Sequence, residues 1–198
     1  MPTNIFDTIL ANGIRAGQIP ARQNAAREWY RAKARGTVVS PESLIKEEKA
    51  RYRNTITIGK MYLFQYDPKH KATLPYYDTF PVIFPVDLAE GGFYGLNLHY
   101  LPIKLRAQLM NALYQLSSNT KYDDKTKLQI SYKILKAASK YSLFKPTFKH
   151  YLTDHVRSRF IEITSSEWDI AAFLPVQRFQ KASQSKIWSD SRKLISAS

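Results

Sequence analysis

The sequence predicts an α+β fold, in which a small antiparallel sheet or a partly closed small barrel packs against two or three helices. β-branched and aromatic segments, separated by turn residues, occupy residues 55–100. A strongly amphipathic helical pattern begins at Pro102. Of the 198 residues 44% are hydrophobic, including thirteen Tyr and ten Phe, so the chain can bury the core of one domain.

Residues 1–54 are predicted to form a basic helical arm. Apolar side chains recur at helical spacing within residues 5–14, which indicates a short helix there. Residues 21–35 combine Ala and Arg without a helix breaker and predict a second helix, which Gly36 ends.

A third helix is predicted to begin at Ser40 and to run to about Arg53. Ser40 is a suitable N-cap, Pro41 suits the first helical position, and Glu42 places an acid in the first turn. Because the second and third helices lack a wide apolar face, the arm is expected to wrap a partner or a neighbouring subunit.

The middle of the chain predicts a sheet. Residues 55–66 favour a strand, and residues 79–86 favour a second one, which its prolines confine to an edge or to the strand ends. The turn sequence DLAEGG and the apolar residues 93–100 then predict a hairpin.

Two helices are predicted after the hairpin, and a third is suggested. The pattern is clearest in residues 102–117, where an apolar stripe follows Pro102. A similar stripe predicts a helix over residues 124–139, and residues 146–155 are assigned to the third helix.

The last part of the core combines a strand with a short helix. Basic and apolar residues alternate over 157–163, which predicts a half-buried strand. A short helix over 167–174, capped by Ser165 or Ser166, follows. The α+β core domain is therefore predicted to span 55–176, and a polar, basic C-terminal tail to span 177–198.

The net charge of +14 points to a polyanionic partner, because so large a surplus repels itself in an isolated molecule. The surplus lies in two wings: residues 1–60 carry +6 and residues 101–198 carry +10, whereas residues 61–100 carry −2. Nucleic acid is the first candidate partner, an anionic membrane the second and an acidic protein the third.

Several cationic residues are predicted to contact phosphate without reading bases. They follow one face of the second helix, one face of the predicted strand at 157–163, and the tail. They are Arg22, Arg27, Arg31, Arg35, Arg157, Arg159, Arg178, Lys181, Lys186, Arg192 and Lys193. Any one stretch alone is also typical of a solvated surface, and only the three together with the total charge favour a polyanion.

Alternatives remain for the aromatic and acidic residues. Tyr62, Phe64 and Tyr66 share one strand face and suit either a stacking platform for bases or, more simply, the core, since their neighbourhood is acidic. Carboxylates form the only candidate nuclease site: Asp67, Asp78, Asp87, Glu162 and a Glu42…Glu48-Lys49 pattern. Turn formation explains Asp67 and Asp78 more economically, so no metal site is predicted.

Other functional classes lack their signatures. The sequence contains no Cys, no Walker loop, no GxGxxG, no GxSxG and no HExxH. It has no apolar run long enough to span a membrane, and no secretory signal begins it. We therefore predict no enzymatic activity, no cofactor and no membrane contact, and we expect the protein to be made in the host cytoplasm.

Two distinctive strings resemble a known family. MYLFQYDPKHKATLPYYDTFPVIFPV, then GGFYGLNLHYL and a helix, resembles the DNA end protector, a head-completion protein of T-even-like contractile-tailed phages. EWDIAAFLPVQRFQKAS and SKIWSDSRK are similar to the C-terminal part of that family. The resemblance covers roughly residues 61–193 and carries no site residues.

The resemblance implies a virion protein that binds the ends of packaged double-stranded DNA and shields them from exonuclease, with other head, neck or tail proteins as partners and possible oligomers in the virion. The alternative is a structural neck or baseplate protein that clamps neighbouring subunits with its arm and tail. In that case Trp29, Trp168 and Trp188 are expected to be buried in partners.

Overall fold

The computed structural model describes residues 4–19, 24–117 and 142–197. Six helices lie in these ranges: α1 Ile5–Arg15, α2 Asn24–Arg35, α3 Pro41–Glu47, α4 Ile103–Ser117, α5 Trp168–Phe173 and α6 Gln184–Ser196. The eight strands there are β1 Tyr52–Arg53, β2 Met61–Leu63, β3 Tyr77–Asp78, β4 Val82–Ala89, β5 Gly92–Asn97, β6 Phe148–Leu152, β7 Phe160–Ile163 and β8 Phe179–Gln180. The helix predicted over 124–139 lies outside the described residues.

An open antiparallel sheet of six strands, in the order β1-β7-β2-β4-β5-β6, organises the fold. Strands β3 and β8 form a separate two-stranded sheet. The prediction of an α+β fold with an antiparallel sheet is confirmed. Within the described ranges the sheet does not close, even partly, into a barrel. Among the described strands, β1 and β6 are the two edges.

The predicted hairpin is confirmed as β4–β5. Ala89 pairs with Gly92, so Glu90 and Gly91 alone make the turn. Gly91 has a φ of 70°, which a side chain would disfavour. Gly92 is needed for a different reason, because a Cβ there would lie 1.8 Å from the carbonyl oxygen of Tyr151 on β6. The two glycines thus fix both the turn and the approach of the edge strand.

The two faces of the sheet carry different cores. Met61 and Leu63 point to the helices and belong to the main core, which also receives side chains from α1 to α5. The opposite face carries an aromatic cluster, comprising Tyr62, Phe64, Tyr66, Ile83, Phe93, Tyr151 and Phe160. Tyr62, Phe64 and Tyr66 are at most 6% exposed, so the core interpretation of this stripe is correct.

The structure corrects the prediction that the prolines of residues 79–86 lie in an edge strand or at the strand ends. β4 is a central strand between β2 and β5, not an edge. Pro81 precedes it, and Pro85 lies inside it, at the start of a register shift that ends at Asp87. A bulge accommodates the missing N–H of proline, which explains why the strand continues through it.

Two further local predictions are wrong. Residues 146–155, assigned to a helix, instead form β6 and a short 3₁₀ turn, because β6 pairs along its length with β5. Neither Ser165 nor Ser166 caps α5: Thr164 and Glu167 form a reciprocal capping box on the 3₁₀ turn Ser165–Glu167 that leads into it, and Glu167 precedes α5 without a side-chain cap hydrogen bond.

The N-terminal and C-terminal helices contact the core directly. α3 begins after the predicted cap, with Ser40 accepting from the N–H of Ser43, but it ends at Glu47, before the predicted Arg53. Residues 184–196, to which the sequence assigned no helix, form α6, and Ile187 on it is fully buried. The division into an arm, a core domain and a tail stays a prediction.

Candidate nucleic-acid interface

The arginines on α2 do not share one environment. Arg31 is 1% exposed, and its Nε lies 2.6 Å from Asp169 Oδ1 on α5. Its other donors reach Glu28 Oε1 at 2.5 Å and Asn111 Oδ1 at 2.8 Å. The three guanidinium nitrogens of Arg31 thus bind groups of this chain, so they are not available to a phosphate.

Arg27 on the same helix is also buried and donates to Asn24, whereas Arg35 is exposed. Arg22 lies outside the described residues. The four-residue spacing places Arg27, Arg31 and Arg35 roughly along one stripe of α2, but that stripe faces α5 over much of its length. Among the described arginines of this stripe, Arg35 is the one exposed to solvent.

Arg157 and Arg159 are both exposed, although they precede β7 instead of lying within it. Arg157 Nη2 lies 3.8 Å from Asp67 Oδ2. The guanidinium of Arg159 lies 5.7 Å from the ring centroid of Tyr52. Their common face was predicted from strand alternation, which begins only at Phe160.

The five C-terminal cations are all exposed. Lys181, which has a φ of 70°, donates to three carbonyl oxygens of the loop at residues 71–74, at 2.5 to 3.0 Å. Lys186 pairs with Asp190 at 2.6 Å, one turn further along α6. Arg178 donates to carbonyl groups of its own loop, and Arg192 and Lys193 lie on the solvent side of α6.

Sequence reasoning missed a cleft of about 540 Å³ between the edge strand β6 and the segment from Tyr66 to Asp78. We call it the β6 cleft. Its lining is mainly aromatic and cationic: Tyr66, Pro68, Lys69, His70, Leu74, Tyr76, Tyr77, Asp78, Tyr100, Phe148, Lys149, His150, Tyr151 and Leu152. The lining residues come from segments far apart in the sequence, so no local motif predicted the cleft.

Lys149 is the unusual residue of the β6 cleft. Its ammonium lies 4.1 Å from the ring centroid of Tyr100. Among the described residues no hydrogen bond or ion pair to this ammonium is found, and burial lowers the pKa of Lys149 to about 8. A charged group in this state is a ready partner for an anion.

Some of the predicted cations lie at the rim of the β6 cleft. Asp67, next to the lining residue Pro68, pairs with both Lys71 and Arg157. Lys181 holds the loop that contains the lining residue Leu74. Arg157 and Lys181 are thus linked to segments that border the cleft, but none of the predicted cations in the described ranges is itself a lining residue.

A buried polar cluster closes the floor of the cleft. His99 Nδ1 lies 2.6 Å from Asp78 Oδ2, and Asn97 Nδ2 donates to both that oxygen and the Tyr151 hydroxyl. Burial on its own raises the pKa of a carboxyl group, but the His99 ring and two backbone N–H groups outweigh burial and lower the pKa of Asp78. Burial lowers the pKa of His99, although Asp78 opposes that effect.

The lowered pKa of His99 predicts that its contribution to the stability falls on acidification. Because the folded His99 binds a proton less readily than the unfolded one, its contribution is complete above the ordinary pKa of 6.5 and is lost as the pH drops below it. Burial raises the pKa of Glu48 to about 7, which acts in the opposite direction between pH 7 and pH 5, so the His99 contribution is measured as a difference. In urea unfolding the unaltered protein should lose more stability over this range than His99→Gln, which lacks the decline due to His99. His150→Gln, at an exposed position, should leave the decline unchanged.

A fully buried arginine on α4 joins the floor to the C-terminal helices. Arg106 donates to the carbonyl oxygens of Ala172 at 2.8 Å, Leu101 at 3.0 Å and His99 at 3.3 Å. Burial lowers the pKa of Arg106 to about 9. Trp188 Nε1 on α6 donates to the same His99 carbonyl at 2.8 Å. Trp188 is thus anchored on this chain.

The carboxylates considered for a nuclease do not converge. Asp78 pairs with His99, Asp67 with Lys71, and Glu162 with Arg53 and Lys60. In the described ranges there is no group of three or more His, Asp or Glu residues that could hold a metal ion. No helix in the same ranges is both long and apolar enough to cross a membrane.

Comparison with known proteins gives one informative result. Residues 6–196 match the family model of the phage T4 terminal DNA protecting protein. Neither the comparison with curated proteins nor that with solved structures gives a match. The match begins within α1 and ends within α6, so it includes every described strand and helix of the fold and the whole β6 cleft. The chain belongs to the family of the phage T4 terminal DNA protecting protein.

Proposed function

We propose that the protein binds the ends of double-stranded DNA without base specificity and shields them inside the phage particle. The match over residues 6–196 carries this proposal, because the family is described by the protection of terminal DNA. We further propose that the protein is made in the host cytoplasm and joins the virion at head completion, beside other virion proteins. No catalytic step is assigned to it.

The charge of the chain supports the proposal. A net charge of +14 favours a polyanionic partner, and the contacts would be to phosphates, which carry no sequence information. Arg159, Arg192 and Lys193 are exposed, and among the described residues no side-chain hydrogen bond or ion pair engages them. Arg157 is exposed as well and lies 3.8 Å from Asp67 Oδ2, whereas Lys186 is held by Asp190, and Arg178 and Lys181 donate to backbone carbonyl groups. Arg157, Arg159, Arg192 and Lys193 form the proposed phosphate-contacting set, with Arg35 as a further member on α2.

The test is binding to blunt linear DNA and to a closed circle of the same sequence, across a series of salt concentrations. Tighter binding to the linear DNA supports end recognition. Equal binding to both, falling steeply with salt, contradicts end recognition and leaves a general DNA-contacting protein. No binding at low salt favours the structural neck or baseplate protein, in which an acidic neighbour balances the charge.

Replacing Arg157 and Arg159 together with Ala should weaken binding to every duplex. If each arginine contacts one phosphate, the slope of log affinity against log salt should fall by about 1.8, since each phosphate contact contributes about 0.9. Filter binding or fluorescence anisotropy across the salt series measures this slope.

The matched control is the double variant Lys46→Ala with Lys49→Ala, which removes two exposed cations elsewhere on the surface. This control should leave the salt slope close to that of the unaltered protein. An unchanged slope in the arginine variant excludes Arg157 and Arg159 as phosphate contacts.

A further inference from the structure

We propose that the β6 cleft holds the terminal nucleotide of a DNA end, with the terminal phosphate against the Lys149 ammonium. The inference rests on the proposed function and gives it a site. Exposed cations attract every stretch of duplex equally, because phosphates repeat along the whole backbone. Recognition of an end needs a feature that only an end can reach.

The state of Lys149 is the first support. Lys149 is partly buried, its ammonium lies 4.1 Å from the centroid of the Tyr100 ring, and among the described residues it has no hydrogen-bond or ion-pair partner. Partial burial of an ammonium that has no anionic partner is unfavourable, and a phosphate arriving from solvent would supply that partner. A terminal phosphate suits it best because, as a monoester, it carries more charge than the internal diesters.

The other charges around the cleft are compatible with an anion. Lys69, His70 and His150 are exposed and line it. Asp78 is the acidic residue among the lining residues, and its two oxygens are already engaged, by His99, Asn97 and two backbone N–H groups. The carboxylate is thus held by donors of the protein itself, and Lys149 remains available.

Aromatic rings are the second support. Tyr76 and Tyr77 are partly exposed in the cleft, and the Tyr76 ring lies 6.1 Å from that of Tyr100, at an interplanar angle of 36°. Bases of any sequence stack on such rings, because every base has a π-face. A platform of this kind binds a nucleotide without base specificity, as the proposed function requires.

The size of the cleft is the third support. About 540 Å³ is typical of a site for a small molecule, and it is far too small for a duplex. A nucleotide within a duplex is joined to neighbours on both sides and cannot enter without distorting the helix. A terminal nucleotide has one neighbour only, so it can leave its stack and enter at a modest cost.

The experiment compares three DNAs of one sequence: a blunt linear duplex with 5′-phosphates, the same duplex with 5′-hydroxyls, and a closed circle. We expect the 5′-phosphorylated duplex to bind about tenfold more tightly than the hydroxyl form, which is the effect of one charge-assisted hydrogen bond. Lys149→Met should abolish this preference and leave binding to the circle unchanged. Tyr76→Ala should weaken binding to both linear forms and leave binding to the circle unchanged.

The matched control is Lys49→Met, which removes one exposed lysine near β1, at the opposite edge of the sheet from β6. It should keep the preference for the phosphorylated end. A second measurement does not depend on duplex binding: addition of a deoxynucleoside 5′-monophosphate should raise the pKa of Lys149 followed by NMR. Circular dichroism checks that each variant is folded.

The outcomes separate the site from the function. If the unaltered protein prefers linear DNA but ignores the 5′-phosphate, or if Lys149→Met keeps the phosphate preference, the site is wrong and the proposed function stands. If the protein binds linear and circular DNA equally, the proposed function fails. A nucleotide that leaves the pKa of Lys149 unchanged also overturns the site, whatever the duplexes show.

Discussion

Replacing Arg31 with Ala is expected to lower the free energy of unfolding by about 3–5 kcal/mol, the usual cost of breaking a buried ion pair. Arg31 is 1% exposed and Asp169 is 3% exposed. The substitution removes the Arg31 guanidinium from the buried Asp169 carboxylate, and it removes the donor to Asn111 as well. Urea unfolding of the purified protein measures the loss.

The control for this prediction is Arg35→Ala, one turn further along α2 and exposed. It should change the stability by no more than about 0.5 kcal/mol, as is usual at the surface. Asp169→Ala combined with Arg31→Ala should cost less than the sum of the two single substitutions, since both remove the same ion pair. Equal losses for Arg31→Ala and Arg35→Ala would contradict the assignment of a buried pair.

Sequence patterns predicted the elements whose structure depends on residues close together in the chain. The helix α4 follows from an apolar stripe that begins just after Pro102, and its observed bounds, Ile103–Ser117, agree closely with the predicted ones. The β4–β5 hairpin follows from the turn chemistry of Glu90, Gly91 and Gly92. In both cases the signal and the structure lie within the same twenty or so residues, a span over which sequence patterns are informative.

Whether a charged side chain is buried depends on residues far away in the chain. The sequence therefore did not predict which arginines are buried. Arginines at four-residue spacing look like a solvated stripe, and nothing near Arg31 reveals that Asp169 lies opposite it. Arg106 occurs within the predicted apolar helix, but its three carbonyl partners belong to other segments or to the turn before that helix. Such pairs become visible only once the helices are packed.

The β6 cleft was missed for the same reason. Residues 148–152 were assigned to a helix because no local feature distinguishes them from one, and pairing with β5 decides their structure. Only that pairing brings Lys149 opposite Gly95, which has no side chain, and next to Tyr100. The family resemblance identified the chain correctly, but it carried no residue-level site, so the site had to come from the structure.

Replacing Asp78 with Ala is expected to lower the free energy of unfolding by about 3–5 kcal/mol at neutral pH, since each buried donor left without a partner costs roughly 1–3 kcal/mol. Asp78 accepts from the backbone N–H groups of Phe80 and Arg178, each at 3.1 Å, and from Asn97 Nδ2 at 3.2 Å. His99 Nδ1, at 2.6 Å, also loses its partner. These donors belong to three different segments, so one carboxylate fixes the floor of the cleft.

The control for Asp78 is Asp154→Ala, which removes an exposed carboxylate and should change the stability by no more than about 0.5 kcal/mol. Equal losses at the two positions would show that Asp78 is not the centre of the polar floor. The two substitutions also differ in what they do to the β6 cleft. Asp78 is linked through Asn97 to Tyr151 on β6, the strand that also carries Lys149, and Asp78→Ala removes this anchor. A folded Asp78→Ala protein should therefore bind 5′-phosphorylated ends more weakly while its binding to circular DNA is retained.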